Sequence, residues 1–358
     1  MMHRIKNLDF SLLGALFLLA VFSLLSLASS GMDFFWKQLL WYVVGFGLII
    51  FGSSFDWRWL GTQVWFRALL YWGSVGLVFI SNFLSGTVRG TKGWISIGGF
   101  QFEPAELVKL SVILVLSSYF ARKHIHAWQT RTLFISLIFV LIPTVPIIMH
   151  PDFGSAAMVM VLWFGFILLS GINIKRFFIG VGCFLISFAL LWMFVLKPYQ
   201  KDRITGFFTP TRDPLGVNYN VIQSKIAIGS GGFFGKGFGM GTQVQFKFLP
   251  EAKTDFIFAA IVEEWGLFGG LCVIFAFFFS IYRVIMIGLR AKDNYFRFIC
   301  LGAGVYFIAH FSVNVGSALG LLPVAGITFP FVSYGGSNLL TSSILLSIIQ
   351  HIKLESST

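Results

Sequence analysis

KPYQKDRITGFFTPTRDPLGVNYNVIQSKIAIGSGGFFGKGFGMGTQVQFKFLPEAKTD, residues 197–255, is a long polar stretch set between two long apolar runs. It carries Lys197, Lys201, Arg203, Arg212, Lys225, Lys236, Lys247 and Lys253 against Asp202, Asp213, Glu251 and Asp255. A connection of this length is usually either functional or disordered. Disordered segments are poor in aromatics, and this one holds Tyr199, Phe207, Phe208, Tyr219, Phe233, Phe234, Phe238, Phe246 and Phe248. It therefore reads as an ordered, basic, glycine-rich loop resting on a membrane domain. Its last residue, Asp255, opens the next apolar run.

Outward from this loop the chain is apolar. Hydrophobic residues make up 57% of the 358, charged residues only 11%, and the mean hydropathy is +0.85. A membrane crossing needs about 20 mostly apolar residues. Runs of that order lie near 8–29, 34–52, 63–83, 103–121, 132–149, 154–171, 177–196, 255–287, 298–317 and 334–352. The expected fold is an all-α polytopic membrane protein of about ten helices, one integral-membrane domain over 1–358. Phe10–Ala28 is longer than the apolar core of a signal peptide and is followed by further spans, so it reads as a span and not a cleaved leader.

Cations fall in every second connection: Arg4 and Lys6, Arg58, then Arg122, Lys123 and Arg131, then Lys175 and Arg176, then Arg290, Lys292 and Arg297. The positive-inside rule places these and both termini in the cytoplasm. The 197–255 loop is then extracytoplasmic, as are 84–102, 150–152 and 318–333. The net charge of +12 is accounted for by these loops and by contact with lipid headgroups, and does not call for nucleic acid. Cys183, Cys272 and Cys300 lie within apolar runs and offer no disulfide framework. The six histidines show no metal-ligand spacing.

Several charged positions stand out against this background. FEPAELVKL (102–110) places Glu106 and Lys109 three residues apart on one side of a helix. Charges at membrane depth face a cavity or a partner, so the pair is either a packing device or part of a site. Asp152, in HPDFGSA (150–156), suits a helix N-cap as well as a ligand contact. Arg89, Lys92 and Trp94 suit an interfacial anchor or one wall of an anion site. Glu263 and Glu264 stand about two turns into the eighth run, as a buried pair or a substrate contact. Asp255 is the leading candidate for chemistry, because a carboxylate kept ionised by nearby cations can accept a proton from a hydroxyl; a plain helix-start acid is the alternative, with Thr254 as an equal cap. GSGGFFGKGFGMGTQ (229–243) lacks a nucleotide-loop frame. It suits tight turns or close backbone approach to a substrate, with Lys225 and Lys236 placed to meet phosphate. Pro143 and Pro146 interrupt the fifth run and Pro323 and Pro330 precede the last, and broken segments of this kind are expected to line cavities.

DPLGVNYNVIQSKIAIGSGGFFGKGFGMGTQVQFKFLPEAKTDFIFAAIVEEWG (213–266), with PAELVKL, PDFGSA and GITFPFVSYGGS in order around it, resembles the SEDS family of shape, elongation, division and sporulation proteins. The resemblance runs from the first span to the last. It implies a ten-helix glycosyltransferase that polymerises lipid II into peptidoglycan strands at the outer face of a bacterial cytoplasmic membrane. It also implies a class B penicillin-binding protein as partner. The family's catalytic acid falls on Asp255, its Glu and Lys on Glu106 and Lys109, its P-D-x-G aspartate on Asp152 and its D-R-I arginine on Arg203. Lys253, His150 and Trp265 depart from the common residues, and Gly93 replaces the usual Arg before Trp94. Arg203, Lys109, Lys225 and Arg89 are candidate contacts for a diphosphate leaving group. A divalent ion, Mg or Mn, is compatible with that group, although no dedicated metal cage is legible. A lipid II flippase and a non-catalytic scaffold for a transpeptidase are the rival readings.

Overall fold

The computed structural model describes residues 7–84, 93–97, 100–123, 129–149, 152–171, 180, 182, 193, 201, 205–208, 216 and 218–356. In chain order these form α1 (Phe10–Ser30), α2 (Met32–Gly52), α3 (Trp57–Thr62), α4 (Val64–Leu84), β1 (Ile95–Ile97), β2 (Phe100–Phe102), α5 (Pro104–Lys123), α6 (Thr130–Met149) and α7 (Phe153–Leu169). Then come α8 (Tyr219–Ser230), α9 (Thr242–Gln245), α10 (Ile257–Arg290), α11 (Asn294–Ala318) and α12 (Gly336–Ser356). Every expected apolar run within the described residues is a helix, with ends shifted by a few residues; the run near 177–196 lies outside them but for 180, 182 and 193. Seven of these helices are long and apolar enough to cross a membrane. Two further helices of the bundle fall outside that set, α7 because it has only 17 residues and α12 because it is polar.

Local chemistry sets the helix starts. Asp9, Asp56, Asp152 and Asp293 are N-caps of α1, α3, α7 and α11, each accepting from a backbone N–H of the first turn. Such a cap contributes about 1 kcal/mol. β1 and β2 form an antiparallel hairpin, Ile95 opposite Phe102, that leads into α5.

The polar residues of α12 explain its place. Ser337, Asn338, Thr341, Ser342, Ser343, Ser347 and Gln350 are all buried, and α12 packs along α2 at Gly45 and Gly52. A Cβ at Gly45 would lie 2.7 Å from Ser343 Oγ, and one at Gly52 would lie 2.5 Å from Ser347 Oγ. Small residues let two backbones approach closely, so α12 sits in the bundle and its low hydropathy follows. On the opposite flank α1 runs antiparallel to α10, with Asp9 on Arg283 at one end and Ser29 on Glu264 at the other.

Among the described residues the break in a span falls elsewhere than the prolines of α6 suggest. α6 is continuous through Pro143 and Pro146. Proline at 143 lacks the N–H that would bond the Phe139 carbonyl four residues back, and the Tyr71 hydroxyl on α4 donates to that carbonyl instead, at 2.8 Å. The helix that does break is α10, at Gly266, with φ 69° and ψ −172°. In a straight helix Phe258 and Gly270 would be about 18 Å apart along the axis. Here a Cβ on Gly270 would meet the Phe258 ring at 3.5 Å and Val262 at 2.7 Å. The 257–265 half is therefore folded back, which carries Asp255 toward the body of the bundle.

Candidate active site

The carbonyls of Lys253, Thr254 and Asp255 are each held from outside their own segment. Tyr334 N donates to Lys253 O at 2.9 Å, Ser333 Oγ to Thr254 O at 2.6 Å, and Asn314 Nδ2 to Asp255 O at 3.1 Å. The Ser333 hydroxyl also receives the Phe329 N–H at 2.9 Å. The FPFVSYGGS stretch is itself anchored to the first two helices, Ser23 Oγ donating to Val332 O at 2.6 Å and Tyr42 to Phe331 O at 2.8 Å. Asp255 is thus half-buried in a turn clamped on two sides. It is not the cap of α10: Phe256 holds the N-cap position, and Thr254 Oγ1 donates to Glu251. The carboxylate faces Gly326, where φ is +68° and a Cβ would begin 4.0 Å from Asp255 Oδ2.

Beside this turn lies a buried ionic cluster on α5 and α11. Lys109 donates to Glu106 at 2.7 Å, with the two side chains 1% and 3% exposed. Tyr306 and Asn338 donate to the other Glu106 oxygen, each at 3.2 Å. Lys109 Nζ also lies 3.5 Å from His310 Nε2, whose Nδ1 is 3.0 Å from Thr328 O. Glu103, not singled out by the sequence, completes the group: Ser155 Oγ donates to it at 3.2 Å and its own N–H reaches Ser337 Oγ at 3.0 Å. Burial, with the negative charges of Glu106 and Asp152, pushes the Glu103 carboxyl up to about 8.

Asp152 caps α7 through Ser155 N at 3.0 Å, so the cap reading of this residue is realised. The same turn abuts the 325–327 segment, for a Cβ at Gly154 would lie 2.1 Å from Ala325 O. Asp152 and Asp255 therefore both lie beside the 325–327 segment. Lys225 is exposed on α8 with its side chain across Gly320, where a Cβ would meet Nζ at 2.5 Å. This places the ammonium just beyond the end of α11. Arg203 and Arg89 lie outside the described residues, as does Lys92.

Glu263 and Glu264 stand just before the break in α10 at Gly266. Glu264 bonds Ser29, in the last turn of α1. Glu263 accepts from Lys236 at 2.8 Å, Thr242 at 3.1 Å and Gln243 N at 3.0 Å. The glycine-rich loop approaches backbone closely, as its composition suggests, but the backbone is that of α10. Lys236 N and Gly237 N donate to Glu263 O and Glu264 O, and Leu267 N and Phe268 N donate to Gly232 O and Phe233 O. Lys236 is engaged in this frame.

A multi-pass helical membrane protein with one clamped carboxylate beside a buried Glu–Lys pair is the class this geometry defines. The chain belongs to the FtsW/RodA/SpoVE cell cycle protein family, whose model matches residues 4–358. It is 35% identical to the probable peptidoglycan glycosyltransferase FtsW of Tolumonas auensis, over 97% of this chain and 91% of that one. It is 36% identical to the peptidoglycan glycosyltransferase MrdB of Escherichia coli K12, over 74% and 73%. Among solved structures it resembles a chain of a peptidoglycan synthase complex with a TM-score of 0.82 at 25% identity, covering 98% of each chain. It shares the fold of the rod shape determining protein RodA of Thermus thermophilus, with a TM-score of 0.72 at 22% identity and 98% coverage of both.

Proposed function

We propose that this chain is a peptidoglycan glycosyltransferase that polymerises lipid II at the outer face of a bacterial cytoplasmic membrane, with Asp255 as general base. The observation that carries the role of Asp255 is the clamp: three consecutive carbonyls are bound, and the half-buried residue they hold has its carboxylate against a glycine. A group held this way keeps its geometry through the reaction, and a positioned base is worth about 10²–10⁴-fold.

The acceptor sugar hydroxyl gives its proton to Asp255 as its oxygen attacks the anomeric carbon of the donor. The bond from that carbon to the diphosphate breaks, and the leaving group departs with the electron pair. Inversion in one step requires no covalent enzyme intermediate. Negative charge grows on the diphosphate, where preorganised cations stabilise it. Lys225 and Arg203 are assigned to that side, with Arg89 as a further candidate. Glu106 and Lys109 are engaged with each other and with Tyr306, Asn338 and His310, so they are assigned to the frame of the site. Among the described residues no three His, Cys, Asp or Glu side chains come together as metal ligands, and no step is routed through a divalent ion.

The orientation rests on charge. Arg58, Arg122, Lys123, Arg131, Arg290, Lys292 and Arg297 gather at the end opposite Asp255, as an inner-face assignment requires. A class B penicillin-binding protein is the proposed partner, because the solved chain with TM-score 0.82 comes from a complex that couples polymerization to crosslinking. The test is glycan polymerisation from lipid II by purified protein with its partner. Asp255→Asn and Asp255→Ala are expected to lose at least about 100-fold in rate while inserting and unfolding like the parent. Parental rates in either variant would remove the base assignment.

A further inference from the structure

His310 and Asn314 are four residues apart on α11, hence on one face and about 6 Å apart along the axis. Both are buried, at 0% and 1% exposure. Asn314 Nδ2 donates to Ile327 O at 2.8 Å as well as to Asp255 O at 3.1 Å. His310 Nδ1 meets the next carbonyl, Thr328 O, at 3.0 Å, and its Nε2 faces Lys109 Nζ at 3.5 Å. An ammonium can only donate, so Nε2 accepts from Lys109 and Nδ1 carries the hydrogen that goes to Thr328. The ring has one role on each nitrogen, and the lysine fixes which is which.

We propose that Asn314 and His310 are positioning residues that tie the Glu106–Lys109 pair to Asp255 through the 326–328 segment. The inference rests on Asp255 being the base. Glu106 orients Lys109, Lys109 sets the His310 tautomer, and His310 and Asn314 pin two successive carbonyls of the segment against which the Asp255 carboxylate lies. Asn314 also holds the carbonyl of Asp255 itself. Neither residue touches the reacting atoms. They act by keeping the carboxylate in register with its wall at Gly326.

Steady-state polymerisation of lipid II by the full chain with its partner tests this. Misplacing a reacting group by about 1 Å costs on the order of 10²-fold. Asn314→Ala and Asn314→Ser are therefore expected to lower kcat by about 10–100-fold, with KM for lipid II within about threefold of the parent. At position 310 the two carboxamides separate the roles. His310→Asn places its amide near Nδ1 and keeps the donor to Thr328. His310→Gln reaches toward Nε2 and loses it. His310→Asn is expected to retain at least about ten times the kcat of His310→Gln, a rescue that simple cavity filling does not give because Gln is the larger. The proposal is overturned if Asn314→Ala turns over at the parental rate, if its loss falls on KM alone, or if His310→Gln matches or exceeds His310→Asn. The two carboxamides at 310 decide the matter should the Asn314 variants insert poorly. Asp255→Asn in the same series separates the two readings: parental activity there overturns the base assignment, whereas an inactive Asp255→Asn beside a fully active Asn314→Ala overturns only the positioning role.

Discussion

Lys109 holds a charge at 1% exposure, and its nearest counter-charge is Glu106 at 2.7 Å. Removing one partner of a buried pair leaves the other unpaired and costs about 3–5 kcal/mol, whereas replacing both with neutral groups of similar shape is often close to neutral. Lys109→Met is therefore expected to lower the thermal midpoint in detergent more than the double variant Glu106→Gln/Lys109→Met; the reverse order would show that the pair does not work as a unit. Glu103 gives a second expectation. Its folded pKa of about 8 is above the ordinary carboxylate value, so its contribution is complete below the unfolded pKa. That contribution is lost as pH rises through about 8. Glu103→Gln should flatten the fall in thermal midpoint between about pH 5 and pH 9, and an unchanged slope would assign the fall to other groups. The sequence made Glu106, Lys109, Asp152 and Asp255 visible because charges are conspicuous in apolar runs. Asn314 and Ser333 escaped notice because their partners are carbonyls, which every residue has and no sequence displays. The signal available for α11 was His310 and Asn314, two polar residues one turn apart in an apolar run.

The break in α10 shows how far an element can be read from its sequence. A 34-residue helix would be about 51 Å long if straight, well beyond the ~30 Å hydrocarbon layer, so some break was required. Its place was not legible, because Gly266, Gly269 and Gly270 look alike on paper. What distinguishes Gly266 is the backbone of the glycine-rich loop packed on it. A Cβ there would lie 2.3 Å from both Gly235 N and Phe233 O, at a φ of +69°. Gly266→Ala is thus expected to unseat the 231–243 loop and to speed limited proteolysis within it. Gly47→Ala is the control, since a Cβ there meets nothing within 4 Å. Equal proteolysis of the two variants would show that the loop holds without this contact. The prolines of α6 teach the converse: the sequence pointed to a break, but the Tyr71 hydroxyl supplies the bond that Pro143 gives up.

For the molecule as a whole, the two ends of the bundle differ in chemistry. The Asp255 end gathers the helix turns and loops that carry Glu103, Asp152, the glycine-rich loop and residues 323–335, with Phe233, Phe234, Met240 and Phe246 exposed beside them. The other end gathers arginines and lysines, with Asp9 and Arg283 joining α1 to α10 at 2.6 Å. That division was readable from loop charges alone, because insertion responds to Lys and Arg near the ends of spans. The packing order of the helices was not, because residues such as Gly45 and Ser343 declare a partner only once the two are adjacent. The orientation has its own test in intact cells. In a variant whose native cysteines are replaced, Phe234→Cys, 81% exposed in the parent, should react with a membrane-impermeant maleimide added outside. Lys292→Cys, exposed in the α10–α11 connection, should react only after the membrane is opened. The reverse pattern would place Asp255 in the cytoplasm, where strands destined for the cell wall cannot be assembled, and the proposed reaction would then be on the wrong side of the membrane.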